Sequence, residues 1–78
     1  MSVSEVAKVL DLKGLPCPMP VVKISQEIGS VAVGEVIEVH TTDPGSLSDF
    51  PAWARTAGHE IVEALPGEPI VIYVKRLK

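Results

Sequence analysis

The chain has 78 residues, 46% of them hydrophobic, and a formal net charge of −3. This length predicts one domain, residues 1–78, with a thin core and little room for a deep cofactor pocket, because so short a chain buries only about 60% of its unfolded surface. Acidic residues outnumber basic ones by ten to seven, which argues against direct nucleic-acid binding. No segment approaches the ~18 apolar residues of a membrane span, so no membrane insertion is expected. Without a recognisable signal peptide, the single cysteine indicates the reducing cytoplasm.

The periodicity of apolar residues predicts six elements in the order strand, helix, strand, helix, strand, strand. Alternation favours the first strand, a stripe at helical spacing from Pro18 favours the first helix, and β-branched residues favour the second strand. Asp43-Pro44 favours a first helical turn, Asp49 offers a second start, and Gly58 ends the second helix. The predicted ranges are 6–12, 18–28, 36–42, 43–57, 61–65 and 70–77.

This order predicts an α/β (α+β) fold with a mixed four-stranded sheet. A crossover through the first helix places the first two strands parallel, and the turn at residues 66–69 joins the last two as an antiparallel hairpin. With only two helices, the expected arrangement is a two-layer sandwich in which both cover one face of the sheet. The other face must be polar or meet a partner.

Cys17 is the only cysteine, and it stands between prolines in the run Gly14-Leu15-Pro16-Cys17-Pro18-Met19-Pro20. A single thiol excludes an intramolecular disulfide and a dithiol redox cycle. Proline is well tolerated at the first helical position, so the sequence predicts Cys17 as the N-cap of the first helix.

The helix start predicts a lowered pKa for the Cys17 thiol. The N–H groups of Met19 and Val21 and the positive end of the helix dipole favour thiolate, and Lys13 and Lys23 add positive potential. The alternative is a buried structural cysteine, which is common in aliphatic cores.

Other residue types leave few partners for this sulfur. His40 and His59 are candidate bases, but each also fits a partly exposed position in the sheet, and no metal-ligand spacing joins them to Cys17. Asp43 fits a helix cap better than a catalytic acid, and Trp53 fits core packing. What remains is chemistry of one nucleophilic sulfur: mixed disulfide, sulfenic acid or persulfide.

The stretch from Leu10 to Pro20 resembles the Cys-Pro-x-Pro signature of the TusA/SirA-like sulfur carriers, and Thr42-Asp43-Pro44 through Asp49-Phe50-Pro51 resembles the family's second-helix entry. The similarity covers about residues 8–76. It implies a two-layer sandwich in which Cys17 receives sulfane sulfur, carries it as a transient persulfide without another cofactor, and passes it on. The implied donors are cysteine desulfurases or rhodanese-type proteins, and the implied acceptors are DsrE-like proteins. The pathways are tRNA thiolation, sulfur oxidation or thiosulfate trafficking, and a monomer is favoured.

The resemblance also assigns roles beside the catalytic Cys17. The site-shaping residues are Gly14, Pro16, Pro18 and Pro20, and the candidate partner contacts are Met19, Lys23 and Asp43. Many relatives carry a basic residue where this chain has Pro16, which weakens thiolate stabilisation from that side. A non-catalytic adapter and a thiol redox sensor remain alternative functions at this point.

Overall fold

The computed structural model describes residues 6–78 and confirms the predicted order of elements. The first five residues of the domain predicted over 1–78 lie outside the described part. The elements are β1 (Lys8–Leu12), α1 (Met19–Glu27) with a single 3-10 turn (Ile28–Ser30), β2 (Val36–Thr41), α2 (Ser46–Ala57), β3 (Glu60–Leu65) and β4 (Ile70–Lys75).

The four strands form one mixed sheet in the order β1-β2-β4-β3. β1 and β2 are parallel, while β4 runs antiparallel to both of its neighbours, β2 and β3. The predicted parallel pair and the predicted hairpin are therefore confirmed. Strand β4 takes the central place beside β2, and the sheet is an α+β arrangement with two helices, as expected.

The core lies between the helices and one face of the sheet. Strand alternation points Ile37 and Val39 of β2 and Ile72 of β4 toward the helices, and all three are fully buried. Ile24 of α1 and Phe50 of α2 fill the space above them, also without exposure. The thin aliphatic core predicted from composition is thus organised around one aromatic ring.

The opposite face of the sheet carries a mixed surface. Glu38 and His40 of β2 pair with Tyr73 and Val71 of β4 on this side, and Val9 of β1 is 58% exposed. Neither helix among residues 6–78 has the length and apolar character needed to cross a bilayer.

The helix starts lie further along the chain than predicted. The N-cap of α1 is Pro18, one residue beyond the predicted Cys17, because the Met19 N–H bonds to the carbonyl of Pro16 at 2.8 Å and forms a turn first. Helix α2 begins at Ser46, whose N–H bonds to the Asp43 carbonyl at 3.0 Å, so Asp43 belongs to the preceding turn. The predicted stop at Gly58 is confirmed, with the left-handed φ of 85° that glycine adopts at little cost.

Candidate functional site

The loops that follow β1 and β2 meet at one edge of the sheet, as their parallel pairing predicts. The Gly14 N–H donates to Thr42 Oγ1 across 2.8 Å and joins the two loops. Gly14 has a φ of +83°, which a residue with a side chain adopts only under strain. Gly14 thus fixes the conformation of the loop that leads to Cys17, and its role in shaping the site stays a prediction.

Cys17 is exposed at this edge, and its sulfur contacts a carboxylate. Its Sγ lies 3.4 Å from Oδ2 of Asp49, close enough for the thiol to donate a hydrogen bond. Asp49 lies in the first turn of α2 and is half-buried. The sequence suggested Asp49 only as a second helix start, so this contact between the loop before α1 and the first turn of α2 was missed.

Asp43 is the second carboxylate at the site. Its Oδ1 accepts a hydrogen bond from the Gly45 N–H at 3.2 Å, and its own N–H donates to Thr41 Oγ1 at 3.2 Å. The N-cap of α2 is Gly45, which makes no side-chain capping bond. The prediction that Asp43 caps the helix is therefore wrong, because Asp43 lies two residues before the N-cap and stabilises the turn that precedes the helix.

The pKa of the Cys17 thiol is raised above its ordinary value. The main cause is the hydrogen bond to Asp49, followed by desolvation and by the negative charges of Asp49 and Asp43. Each of these favours the protonated thiol over an anion. The sequence prediction of a lowered pKa is wrong.

The Met19 N–H and the two lysines, which were expected to stabilise a thiolate, are engaged elsewhere. Met19 donates its N–H to the Pro16 carbonyl, and proline at positions 18 and 20 supplies no N–H. Lys13 lies 4.0 Å from the Asp11 carboxylate, and the positive charge of Lys23 acts on Glu27, whose pKa is lowered chiefly by Lys8. The nearest charges to the sulfur are consequently acidic.

The carboxylates and the sulfur form one compact cluster. Sγ of Cys17 and one oxygen each of Asp43 and Asp49 lie within 4.8 Å of one another. A cation would need the thiolate as a ligand, whereas the Cys17 thiol here donates toward Asp49. We interpret the cluster as two carboxylates acting on a thiol, and assign no metal to it.

A shallow groove of about 430 Å³ runs from Cys17 along the surface where α1 and α2 meet. Trp53 packs edge-on against Phe50, with ring centroids 6.4 Å apart, so it contacts the core as predicted. Its half-buried ring also borders the groove. The lining residues are Cys17, Pro18, Val21, Asp49, Ala52, Trp53 and Thr56.

Neither histidine has the Cys17 sulfur among its contacts. His40 lies on the sheet face away from the helices, where Nε2 contacts the Glu38 carboxylate. His59 stacks beside Trp53 at 5.6 Å between ring centroids, and its Nδ1 accepts the Leu77 N–H. The pKa of His59 is lowered by burial and by Arg76 and Lys78. The histidine-base alternative therefore receives no support from the geometry.

The remaining predicted site residues differ in exposure. Pro20 is buried and anchors the helix start in the core, while Pro16 and Pro18 are exposed beside Cys17. Met19 and Lys23 are half-buried on α1. Their role as partner contacts stays a prediction, as does that of Asp43.

The fold and the site define a class of protein: a two-layer domain that presents one free cysteine just before a helix, at the mouth of an apolar groove. The crystal structure of a SirA-like protein from Desulfitobacterium hafniense has the same fold, with a TM-score of 0.76 and 20% identity, covering 91% of this chain and 99% of that one. The chain belongs to the family described as Sulfurtransferase TusA, whose family model matches residues 8–76. The resemblance noted in the sequence is thereby confirmed, and the family assigns the chain a role in sulfur transfer.

Curated relatives agree with this assignment. The sulfur carrier protein TusA of Allochromatium vinosum is 40% identical over 55 residues, which cover 70% of this chain and 72% of that protein. A candidate sulfur carrier protein of Halobacterium salinarum is 45% identical over 76 residues, covering 95% and 94% of the two chains. Bacillus subtilis YrkF, another candidate sulfur carrier, is 54% identical over 52 residues, which are 67% of this chain but 28% of YrkF.

Proposed function

We propose that Cys17 accepts one sulfane sulfur atom from a donor protein, holds it as a persulfide, and passes it to an acceptor protein. The observation that supports this most directly is an exposed, solitary thiol at the mouth of an apolar groove in a member of the TusA family. Exposure gives a partner access to the sulfur. Solitude means that no second cysteine of this chain can resolve a persulfide into a disulfide.

The loading step balances without an external oxidant. The Cys17 thiolate attacks the outer sulfur of the donor persulfide and forms a new S–S bond. The S–S bond of the donor breaks, and its electron pair leaves with the donor sulfur as a thiolate, which takes up the proton that Cys17 released. Discharge to an acceptor cysteine is the same exchange with the carrier as donor.

Membership of the family supports a proposal for the partners. We propose a cysteine desulfurase or a rhodanese-type protein as donor and a DsrE-like protein as acceptor, with tRNA thiolation, sulfur oxidation or thiosulfate trafficking as the pathway. A monomer acting in the reducing cytoplasm, without direct contact to nucleic acid, suits a carrier that must keep its thiol free.

The electrostatics of the site argue against a peroxide sensor. Redox-sensor cysteines have a low pKa, because the thiolate is the form that peroxide oxidises. The pKa of Cys17 is instead raised by its bond to Asp49. A protonated resting thiol protects against adventitious oxidation, which favours a carrier that is loaded by a docked partner.

Intact-mass spectrometry tests the proposal. The protein is incubated with a cysteine desulfurase and cysteine, or with a rhodanese and thiosulfate, and then weighed. We expect a gain of about 32 Da that reductant removes. Cys17→Ser is the matched control and gains nothing. Absence of the adduct with both donors would contradict the proposal.

A second measurement separates the carrier from a non-catalytic adapter. The loaded protein is mixed with a DsrE-like acceptor, and the acceptor is weighed. A carrier loses about 32 Da as the acceptor gains it. An adapter predicts that Cys17→Ala retains full cellular function, whereas a carrier predicts its loss.

A further inference from the structure

We propose that Asp49, supported by Asp43, makes Cys17 selective for protein partners that place a cationic side chain beside their reacting sulfur. The inference rests on the proposed function, because it names the chemistry of the partner that the carrier accepts. Asp49 acts here as a positioning residue for the thiol and as a determinant of specificity.

The geometry places both carboxylates where a partner must reach. Asp49 Oδ2 lies 3.4 Å from Sγ of Cys17, and the atoms of Asp43, Asp49 and Cys17 that face one another lie within 4.8 Å. The Gly45 N–H holds the Asp43 carboxylate, and the Cys17 thiol contacts the Asp49 carboxylate, which projects from the first turn of α2. A partner that approaches the sulfur therefore meets two negative charges.

The part of the chain that the structure describes supplies no cation to balance them. The charged groups that act on the Cys17 thiol are Asp49 and Asp43, and both raise its pKa. The neighbouring lysines, Lys13 and Lys23, interact with Asp11 and Glu27 instead. The balancing charge is left for a partner to provide.

Docking makes that charge necessary. The groove beside Cys17 is bordered by Val21, Ala52 and Trp53, so an apolar segment that fills it removes water from the adjacent carboxylates. Covering a carboxylate without a counter-charge is unfavourable, and a lysine or arginine from the partner removes that penalty. The same cation competes for Asp49 and releases the thiol to ionise. An anionic partner meets repulsion at the same place, which provides discrimination.

Small disulfides of matched size test the charge preference without a protein partner. The probes are 2-pyridyl disulfides of cysteamine (cationic), mercaptoethanol (neutral) and mercaptopropionate (anionic). The Cys17 thiolate attacks the alkyl sulfur and forms a mixed disulfide, while 2-thiopyridone leaves with the electron pair and is measured by absorbance. Each rate is divided by the rate with free cysteine under the same conditions, which removes the intrinsic reactivity of the probe.

The wild-type protein is expected to react fastest with the cationic probe and slowest with the anionic one. Asp49→Asn should reduce the ratio of those two rates by about two- to fivefold, the effect of one exposed charge pair. It should also speed the neutral probe below the thiol pKa, by about threefold for each unit by which the pKa falls, because a tenfold larger thiolate fraction is partly offset by lower nucleophilicity. Asp49→Glu keeps the charge and should keep the preference.

Glu60→Gln is the matched control, because it removes the same charge from an exposed position at the start of β3. The proposal is overturned if Glu60→Gln lowers the ratio as much as Asp49→Asn, or if the wild-type protein shows no preference. The wild-type result stands even if Asp49→Asn fails to fold, and circular dichroism checks each variant. Charge preference without any persulfide adduct would support the charge selectivity of the Cys17 thiol and refute the sulfur-carrier proposal. A persulfide adduct without charge preference would support the sulfur-carrier proposal and overturn the charge selectivity.

Discussion

Phe50 offers the most direct test of how the fold holds the site. It is the largest fully buried side chain, and it lies next to Asp49 in the first part of α2. Phe50→Ala leaves a cavity between α2 and the sheet, and we expect the free energy of unfolding to fall by about 3–5 kcal/mol. A domain of this length has a total stability of roughly 4–12 kcal/mol, so this one truncation removes a large share of it.

Phe50→Leu gives the intermediate case. It retains most of the apolar volume, and we expect a loss of roughly 1–2 kcal/mol in the free energy of unfolding. Urea unfolding followed by far-ultraviolet circular dichroism measures both variants, and an unchanged slope against denaturant shows that both states keep their compactness.

Val9→Ala is the control for this experiment, because Val9 is an apolar strand residue that is 58% exposed on the other face of the sheet. Its truncation should change the free energy of unfolding by no more than about 0.5 kcal/mol. The packing argument is refuted if Phe50→Ala costs less than about 1 kcal/mol, or if Val9→Ala costs as much.

Three further results are expected. Because the pKa of Cys17 is raised, its alkylation by iodoacetamide should accelerate at a higher pH than that of glutathione, and an equal or lower midpoint would contradict the acid–thiol contact. Trp53 is the only tryptophan and borders the groove at Cys17, so a bulky adduct on the wild-type thiol should change its fluorescence, whereas Cys17→Ser treated alike should not. Gly58→Ala should lower the free energy of unfolding by about 1–2 kcal/mol because of its left-handed φ; Gly29→Ala, with open space and no such φ, should leave thermal unfolding nearly unchanged.

Local sequence signals predicted most of the fold. Alternating and helical periodicities depend on neighbours along the chain, so they located four strands and two helices within about three residues of their observed ends. The start of α2 was placed too early because Asp43-Pro44 fits a helix start, whereas in the structure this pair forms a turn that precedes the helix. The side chain of Asp43 reaches Gly45, which no pattern of residue types distinguishes from a cap.

The sequence identified the reactive residue of the candidate site but not the groups that surround its sulfur. Cys17 was identified because it is the single cysteine and has a proline on either side, and the family motif indicated its chemistry. The pKa prediction failed because it counted groups near Cys17 in sequence, the helix N–H donors and two lysines. The group that decides the pKa, Asp49, is 32 positions away along the chain.

The sequence by itself determined that one thiol stands at a proline-bounded helix start, and that parallel strands bring the loops after β1 and β2 to one edge. Periodicity and backbone restriction act locally, so they can be deduced without coordinates. Only the tertiary structure decided which charge faces that thiol and which surface leads to it. Packing of α1 against α2 brings Asp49 to the sulfur and opens the groove beside Trp53, and such contacts depend on distance in space rather than on separation along the chain.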